Sequence, residues 1–371
     1  MRLRGWGVIA GPGGAGKTRL LHLLAEALAS SAPPKIIFAA PTNRAVSVLR
    51  EALASSCECA TVHSLCRRKS TEPVDVLVVD EASMLSSEHG DLLVSTPSFA
   101  AAALLFVGDE LQLPPVGSGE LLRPLMEFAA VTPLSKNLRA RSDELAAFVA
   151  SLRGGDLEGV RQRCRQHATA EHMWTEIFDA GPSIVLTFRN EERVAYNSHA
   201  MRRHVLQEPR LESLDDYRCQ KPRPRSFVPF VGLAVRFQDN SHRPGACRGS
   251  LGKIVVAEQR GKVWLVTVKT DGGEVKLEKG LFELPRSLRP AFATTTHDSQ
   301  GSGFDDVHIV LPPSAKCPLL TLETLYTASS RARSKVSFHT HGSRLEDMMS
   351  VLQFRASSRC TPLASLLREA K

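Results

Sequence analysis

The eight residues Gly11-Pro12-Gly13-Gly14-Ala15-Gly16-Lys17-Thr18 constrain this chain more than any other stretch. They follow the apolar run Gly7-Val8-Ile9-Ala10 and precede a helical pattern of Leu20, Leu21, Leu23, Leu24, Ala27 and Leu28. The spacing is G-x-x-x-x-G-K-[ST], set between a strand and a helix. Glycines let backbone N–H groups turn toward a phosphate, and the helix N-terminus adds its dipole. A lysine at this place reaches the β- and γ-phosphates, and the following threonine offers its hydroxyl to Mg²⁺. Gly11 through Thr18 are therefore read as a nucleotide cradle.

The surrounding pattern agrees. Short apolar runs recur at Ile36-Ile37-Phe38, Val76-Leu77-Val78-Val79 and Leu104-Leu105-Phe106-Val107, with amphipathic helical stretches between them. Nearly continuous apolar strands alternating with helices predict an α/β fold with a parallel sheet covered on both faces. The third run ends in Asp80-Glu81, which puts Asp80 at the metal and Glu81 beside an attacking water. With a phosphate loop upstream, this pair predicts hydrolysis of ATP with Mg²⁺. A second set of strands is expected at Ile184-Val185-Leu186, Val307–Leu311 and Val336-Ser337-Phe338, after a mostly helical stretch near 136–180.

Residues 222–286 differ in texture. Pro222, Pro224 and Pro229 lead into Val231–Phe237, then Gly-punctuated runs at Ile254–Val256, Val263–Val268 and Glu274–Leu277. The Asp271-Gly272 step between the last two is a hairpin signal. A small antiparallel β-barrel inserted into the second α/β unit is expected, with Arg218–Arg225 as the hinge. Lys plus Arg exceed Asp plus Glu by 47 − 39 = 8, which favours a polyanionic partner. Eight irregularly spaced cysteines read as reduced thiols, and no apolar run is long enough to cross a bilayer or head a secretory signal. An intracellular, soluble protein without a membrane partner is expected.

The remaining motifs resemble those of superfamily-one helicases. Asp80-Glu81-Ala82-Ser83 is similar to motif II and Gly108–Pro115 (GDELQLPP) to motif III, where Gln112 would sense the γ-phosphate. Pro41, Thr42 and Asn43 lie in a segment resembling motif Ia, and His63 in one resembling motif Ib. Leu134–Arg139 resembles the segment whose arginine, here Arg139, enters the ATP cleft. Thr294–Asp305 looks like motif V and Leu325–Arg333 like motif VI, with Arg331 as the finger. Within the superfamily, the barrel insert, with Val231–Phe237, Gly249–Gly252 and Leu281–Leu284, and the Gln112–Pro115 run resemble the RecD/TraA-like branch.

That resemblance implies two RecA-like domains with ATP between them, held also by Gly301, and 5′-to-3′ movement. Single-stranded nucleic acid, DNA rather than RNA, would cross Pro41, Thr42, Asn43, His63, Thr296, His297, Ser299 and Gln300. The implied division is 1–135 for the first RecA-like domain and 136–225 with 286–345 for the second. Residues 226–285 form the barrel and 346–371 a helical tail. Partners among replication or recombination proteins are implied. An RNA helicase of the viral type, and a nucleic-acid-stimulated ATPase that translocates without unwinding, remain as alternatives.

The chain departs from the pattern at several points. Ten residues precede Gly11, where an adenine-contacting segment is usual; Asp298 stands where a lysine is common in motif V; Ser329-Ser330 replaces an apolar-Thr pair. Arg67–Val74 is all that could form a strand-splitting pin. Cys57, Cys59, His63 and Cys66 have poor spacing for zinc. His339 and His341 read as strand-end residues, and Arg161, Arg163 and Arg165 as the solvated face of a helix.

Overall fold

The computed structural model describes residues 5–28, 34–53, 57–68, 72–115, 119–181, 183–207, 229–239, 247–270, 272–280, 283–342 and 345–357. Strands β1 (Trp6–Ala10), β2 (Ile36–Ala40), β3 (Glu58–Thr61), β4 (Val76–Val79), β5 (Ala103–Gly108) and β6 (Ala130–Pro133) form one sheet. Its order is β3-β2-β4-β5-β1-β6, and every neighbouring pair is parallel. The apolar runs read from the sequence are its central strands, buried between two layers. Leu77, Val79, Leu104 and Phe106 face one core, and Ile9, Phe38, Val78 and Val107 the other.

The chain then passes through β7 (Cys164–His167) and β8 (Ile184–Thr187), makes the insert, and returns. The insert comprises β9 (Ala234–Phe237), β10 (Leu251–Arg260), β11 (Val263–Thr270), β12 (Gly273–Gly280) and β13 (Leu288–Pro290). The second parallel sheet is completed by β14 (Ala293–Thr295), β15 (Phe304–Val310) and β16 (Ala332–His341), in the order β14-β8-β15-β16-β7. Two parallel sheets with flanking helices thus replace the sequence-level expectation of two such units with an observed architecture. The helix Leu345–Ser357 buries Met348, Met349 and Leu352 in the core of the second unit.

The insert is an antiparallel five-stranded sheet in the order β12-β11-β10-β9-β13. A barrel was expected; among the described residues β12 and β13 do not pair, so the ladder stays open. β13 lies at 288–290 and so extends the insert past residue 285. The β11–β12 register pairs Thr270 with Gly273, around the step where the hairpin was expected; Asp271 itself is outside the described residues. So are the expected hinge 218–225 with Pro222 and Pro224, residues 69–71 of the possible pin, and the tail beyond 357.

Two side readings change. Arg161, Arg163 and Arg165 do not share one helical face: the helix Glu158–Gln162 ends before Arg163, and Arg165 sits in β7. Each is ion-paired, to Glu158 and Glu346, to Glu144, and to Glu176 respectively. His339 is not a strand end. It lies inside β16, buried, with Nδ1 at 3.0 Å from His167 Nε2 and Nε2 at 2.8 Å from His308 Nδ1. No described helix is long and apolar enough to cross a membrane.

Candidate nucleotide cleft and nucleic-acid channel

The C-terminal ends of β1, β4 and β5 deliver three loops to one edge of the first sheet, where ligands of parallel α/β sheets gather. The first is Gly11–Gly16, opening the helix Lys17–Ala27. Gly14 sits at φ +87°, a left-handed conformation that a side chain would strain. Lys17 donates from Nζ to the carbonyl oxygens of Gly11 (2.8 Å) and Pro12 (3.1 Å), folding back over the loop it belongs to. Thr18 Oγ1 donates to Asp80 Oδ2 at 3.4 Å. A hydroxyl and a carboxylate at this separation are hard oxygen donors of the kind Mg²⁺ takes alongside phosphate oxygens, so the residues fit that ion.

Burial, reinforced by Glu81, raises the Asp80 carboxyl to about 6. Glu81 is the one non-glycine residue with positive φ (52°) among the described residues, a conformation that costs roughly 1–3 kcal/mol. Asp80 Oδ1 accepts from its N–H at 2.8 Å. Glu81 follows the end of β4, and its charge acts on Lys17, Arg139 and Arg331.

The second unit closes directly over the loop. The helix Leu322–Ser329 ends at the cleft, and a Cβ on Gly13 would stand 2.8 Å from Ser330 Oγ and 3.5 Å from Arg331 Nη2. Arg331 is 1% exposed. Its Nε donates to the Thr327 carbonyl (3.1 Å), Nη1 to the Ser302 carbonyl (3.4 Å), and Nη2 to Ser330 Oγ (3.0 Å). Arg139 lies at the seam: its Nη1 donates to the Ser330 carbonyl at 2.7 Å, while Leu138 N–H donates to the Gly14 carbonyl at 2.8 Å. Burial, with Arg331 beside it, lowers Arg139 to about 9. Burial also lowers Lys17 and Arg331. Three cations pressed toward their neutral forms, Arg331 buried and Lys17 and Arg139 half-buried, make a strong field for a polyphosphate, which would favour the charged form of each.

Gln112 is buried, its Nε2 donating to Asp109 Oδ2 at 3.3 Å. Asp109 is 1% exposed and joins the two units. Its Oδ2 accepts from Tyr326 Oη (2.7 Å) and its Oδ1 from Arg153 Nη1 (2.6 Å). Tyr326 Oη in turn accepts from the Gly13 N–H at 3.2 Å. Asp109, Tyr326 and Arg153 were not singled out from the sequence. Asp109 and Tyr326 sit inside the motif III-like and motif VI-like segments and could have been found there, whereas Arg153, in the last turn of the helix Asp143–Arg153, carries no such signal.

A cavity of about 420 Å³ opens beside the cleft where both units and the insert meet. Its walls include Pro41, Thr42, Asn43, His63, His297 and Gln300, all expected at nucleic acid, and Glu81. Both amide atoms of Gln300 are buried without partners among the described residues. Thr296 and Ser299 are placed otherwise. Thr296 Oγ1 donates to the Thr187 carbonyl and Ser299 Oγ to the Thr296 carbonyl, so both are buried and internally bonded, and neither lines the cavity. Gly301 (φ +77°) was assigned to the nucleotide; it lines this cavity, whose walls contain no residue of Gly11–Thr18. Arg236 and Arg248 of the insert also line it and were missed, because a lone arginine in a strand or loop reads as surface charge.

Comparison with known proteins follows the same division. Residues 2–173 match the family model described as AAA domain, and residues 290–338 match UvrD-like helicase C-terminal domain. The RecBCD enzyme subunit RecD of Mycolicibacterium smegmatis is 29% identical over 90% of this chain and 68% of its own length. The ATP-dependent RecD2 DNA helicase of Deinococcus radiodurans is 30% identical over 88% of this chain and 46% of its own. A probable conjugal transfer protein TraA of Sinorhizobium fredii is 24% identical over 91% of this chain and 31% of its own. The chain thus spans between about a third and two thirds of these relatives. Among solved structures, Pif1 helicase from Candida albicans matches with TM-score 0.61 at 17% identity, covering 96% of this chain and 95% of that one. Bacteroides Pif1 bound to single-stranded DNA matches with TM-score 0.57 at 18% identity, covering 98% and 92%. These likenesses show the fold.

Proposed function

We propose that this chain, a member of the RecD-like branch of superfamily-one helicases, is an ATP-driven motor that moves along single-stranded DNA and separates duplexes ahead of it. The observation that carries the reading is the position of Glu81. It borders the nucleic-acid cavity on one side, and its charge reaches Lys17, Arg139 and Arg331 of the ATP cleft on the other. A strand in the cavity can therefore bias the group expected to activate the attacking water.

In this mechanism Gly11–Gly16 and Lys17 hold the phosphates, and Thr18 with Asp80 would hold Mg²⁺, which when bound neutralises charge on the β- and γ-phosphate oxygens. Glu81 orients and deprotonates water. Arg331 and Arg139 place guanidinium charge against the transferred phosphoryl when the units are closed, and Gln112 reports on it through Asp109. Release of that charge after hydrolysis loosens the seam, and repeated closing and opening move the strand. The resemblance implies 5′-to-3′ polarity, with Pro41–Asn43 and His63 on one unit and His297 with Gln300 on the other as alternating grips. Replication or recombination assemblies are the partners it implies.

The test pairs a single-strand-stimulated ATPase assay with strand displacement on a forked duplex, using DNA and RNA oligomers. DNA should stimulate more than RNA, Lys17→Ala should abolish turnover, and Glu81→Gln should bind ATP but hydrolyse it very slowly. No stimulation by either polymer removes the reading; stimulation by RNA alone transfers it to an RNA helicase. A second reading, translocation without unwinding, is favoured by the nine residues that separate Cys66 from Val76, little chain for a strand-splitting pin. Stimulated ATPase without strand displacement selects it.

A further inference from the structure

Asp298 occupies the turn His297–Ser299, at a place where a lysine is common in related motifs. Its Oδ2 lies 2.5 Å from Nη1 of Arg236, which belongs to β9 of the insert. The pair is half-buried, with side chains 32% and 18% exposed. Arg193 also acts on Asp298, and with Arg236 it holds the carboxyl below the ordinary aspartate value although burial alone would raise it. The carboxylate thus stays charged and committed to its partner.

One side of the Arg236 guanidinium is spent on Asp298. The other side, Nε with Nη2, has no hydrogen-bond partner among the described residues, and it faces Gly249. A Cβ on Gly249 would stand 3.5 Å from Nη2 and 3.9 Å from Nε. Gly249 adopts φ +94°, so a side chain there is disfavoured by the backbone as well, and that edge stays open. The same residues line the cavity with Asn43, His63 and His297. A planar fork with one nitrogen anchored and its remaining edge presented to a channel suits bidentate contact with a phosphate.

We propose that Asp298 is a positioning residue that aims the free edge of Arg236, across the seam between the insert and the second unit, at a backbone phosphate of single-stranded nucleic acid in the channel. The inference rests on the channel being the nucleic-acid path, as proposed above. It makes the insert part of the grip and relocates onto β9 the positive charge that the motif V-like turn lacks.

The sign of one substitution separates aiming from simple charge. Asp298 is an acidic group in a channel for a polyanion. If only the field mattered, Asp298→Ala would tighten binding; if it aims Arg236, the same change weakens it. The experiment measures anisotropy of a fluorescent single-stranded DNA oligomer against the full chain, without nucleotide, from low to moderate salt. Arg236→Ala should raise Kd about five- to tenfold and flatten the log–log salt slope by about 0.7, the share of one phosphate contact on a single strand. Asp298→Ala should weaken binding in the same direction. Asp298→Asn, whose amide oxygen still accepts from Nη1, should recover part of the loss. Arg236→Lys should not recover it, because a single ammonium cannot serve carboxylate and phosphate together. The double variant should be no weaker than Arg236→Ala alone.

Tighter binding by Asp298→Ala, or an unchanged salt slope in Arg236→Ala, overturns the proposal while leaving the motor reading intact. Failure of the unaltered protein to bind either DNA or RNA overturns the channel, and this proposal with it. Should Asp298→Ala fold poorly, the salt slopes of Asp298→Asn and Arg236→Ala decide the matter alone.

Discussion

Tyr326→Phe removes one oxygen from the centre of the cleft, and the structure gives the sign of two separate effects. The hydroxyl accepts from the Gly13 N–H at 3.2 Å, one of the groups expected to cradle phosphate. It also donates to buried Asp109 at 2.7 Å and accepts from Arg153 Nη1 at 3.0 Å. Burial raises this phenol far above its ordinary pKa, so it remains a proton donor at any working pH. Asp109 keeps Arg153 and Gln112 after the substitution, so it is not stranded. Arg153 likewise keeps Asp109 and Glu110, but the hydrogen bonds to two charged groups are lost at about 1.5–3 kcal/mol each, which should appear as a lower melting temperature with and without nucleotide. The Gly13 bond, in contrast, is one that a phosphate seated on the loop would compete for. A neutral bond of this kind is worth about 1 kcal/mol net, so removing the competitor for the N–H should tighten ATP or ADP binding about fivefold. Calorimetric titration of nucleotide into both proteins reads the second effect, and thermal melting the first. A Phe variant that binds nucleotide no better than the parent would refute the view that Tyr326 competes with phosphate for the loop.

Arg331→Ala should keep the fold and most single-strand affinity while lowering stimulated kcat by on the order of 10³, since its hydrogen bonds are all to its own unit. Arg333→Ala, an exposed side chain at 3.8 Å from Asp305, should change kcat little; the reverse pattern would move the finger to Arg333. Stability should also depend on the His167–His339–His308 row. Burial, with Lys335 and the neighbouring histidine respectively, lowers His308 to about 4 and His339 to about 3. The unfolded chain, with histidines near 6.5, binds more protons than the folded one below that pH, so this stabilisation is full above about 6.5 and is lost as pH falls toward 4. Urea midpoints measured between pH 7 and 5 should decline, and His308→Gln should flatten the decline; identical slopes in both proteins would count against the row as the source.

The motifs expected to touch phosphate were legible because their chemistry requires particular residues at fixed spacing. Gly11–Thr18 and Asp80-Glu81 declare themselves within a few positions, and the apolar runs at Val76–Val79 and Leu104–Val107 mark strands buried on both faces. Strand β3 (Glu58–Thr61) gave no such signal: it is a sheet edge of four residues holding a glutamate and a threonine, and neighbouring strands decide its conformation. β7 was hidden the same way, in a Cys-Arg-Gln-His run that reads as helix surface. In the channel, the segments resembling motifs located the turn at 296–301, yet not which side chains face outward. Thr296 and Ser299 spend their hydroxyls on carbonyls of the turn and of β8, while His297 and Gln300 reach the cavity. Arg153, Arg236 and Asp298 acquire their roles through partners roughly 40 to 60 residues away, and a distance of that kind is not written in local pattern.

The insert is not hung on the second unit; it is riveted to it. Met201, from the helix Asn190–Gln207, sits in the insert's own core, and Phe292 packs against that core and against the second unit's core at once. From the same helix, His204 stacks on Phe292 at 5.2 Å and leans on Phe230. Two residues separate β13 of the insert from β14 of the parallel sheet. An engineer who excised 229–290 would therefore tear open two hydrophobic cores, and the loss of activity that followed would say nothing about what the insert grips. The same joint is stiff: any rotation of the second unit would carry β9 and its arginine through the same angle, as teeth cut on the wheel.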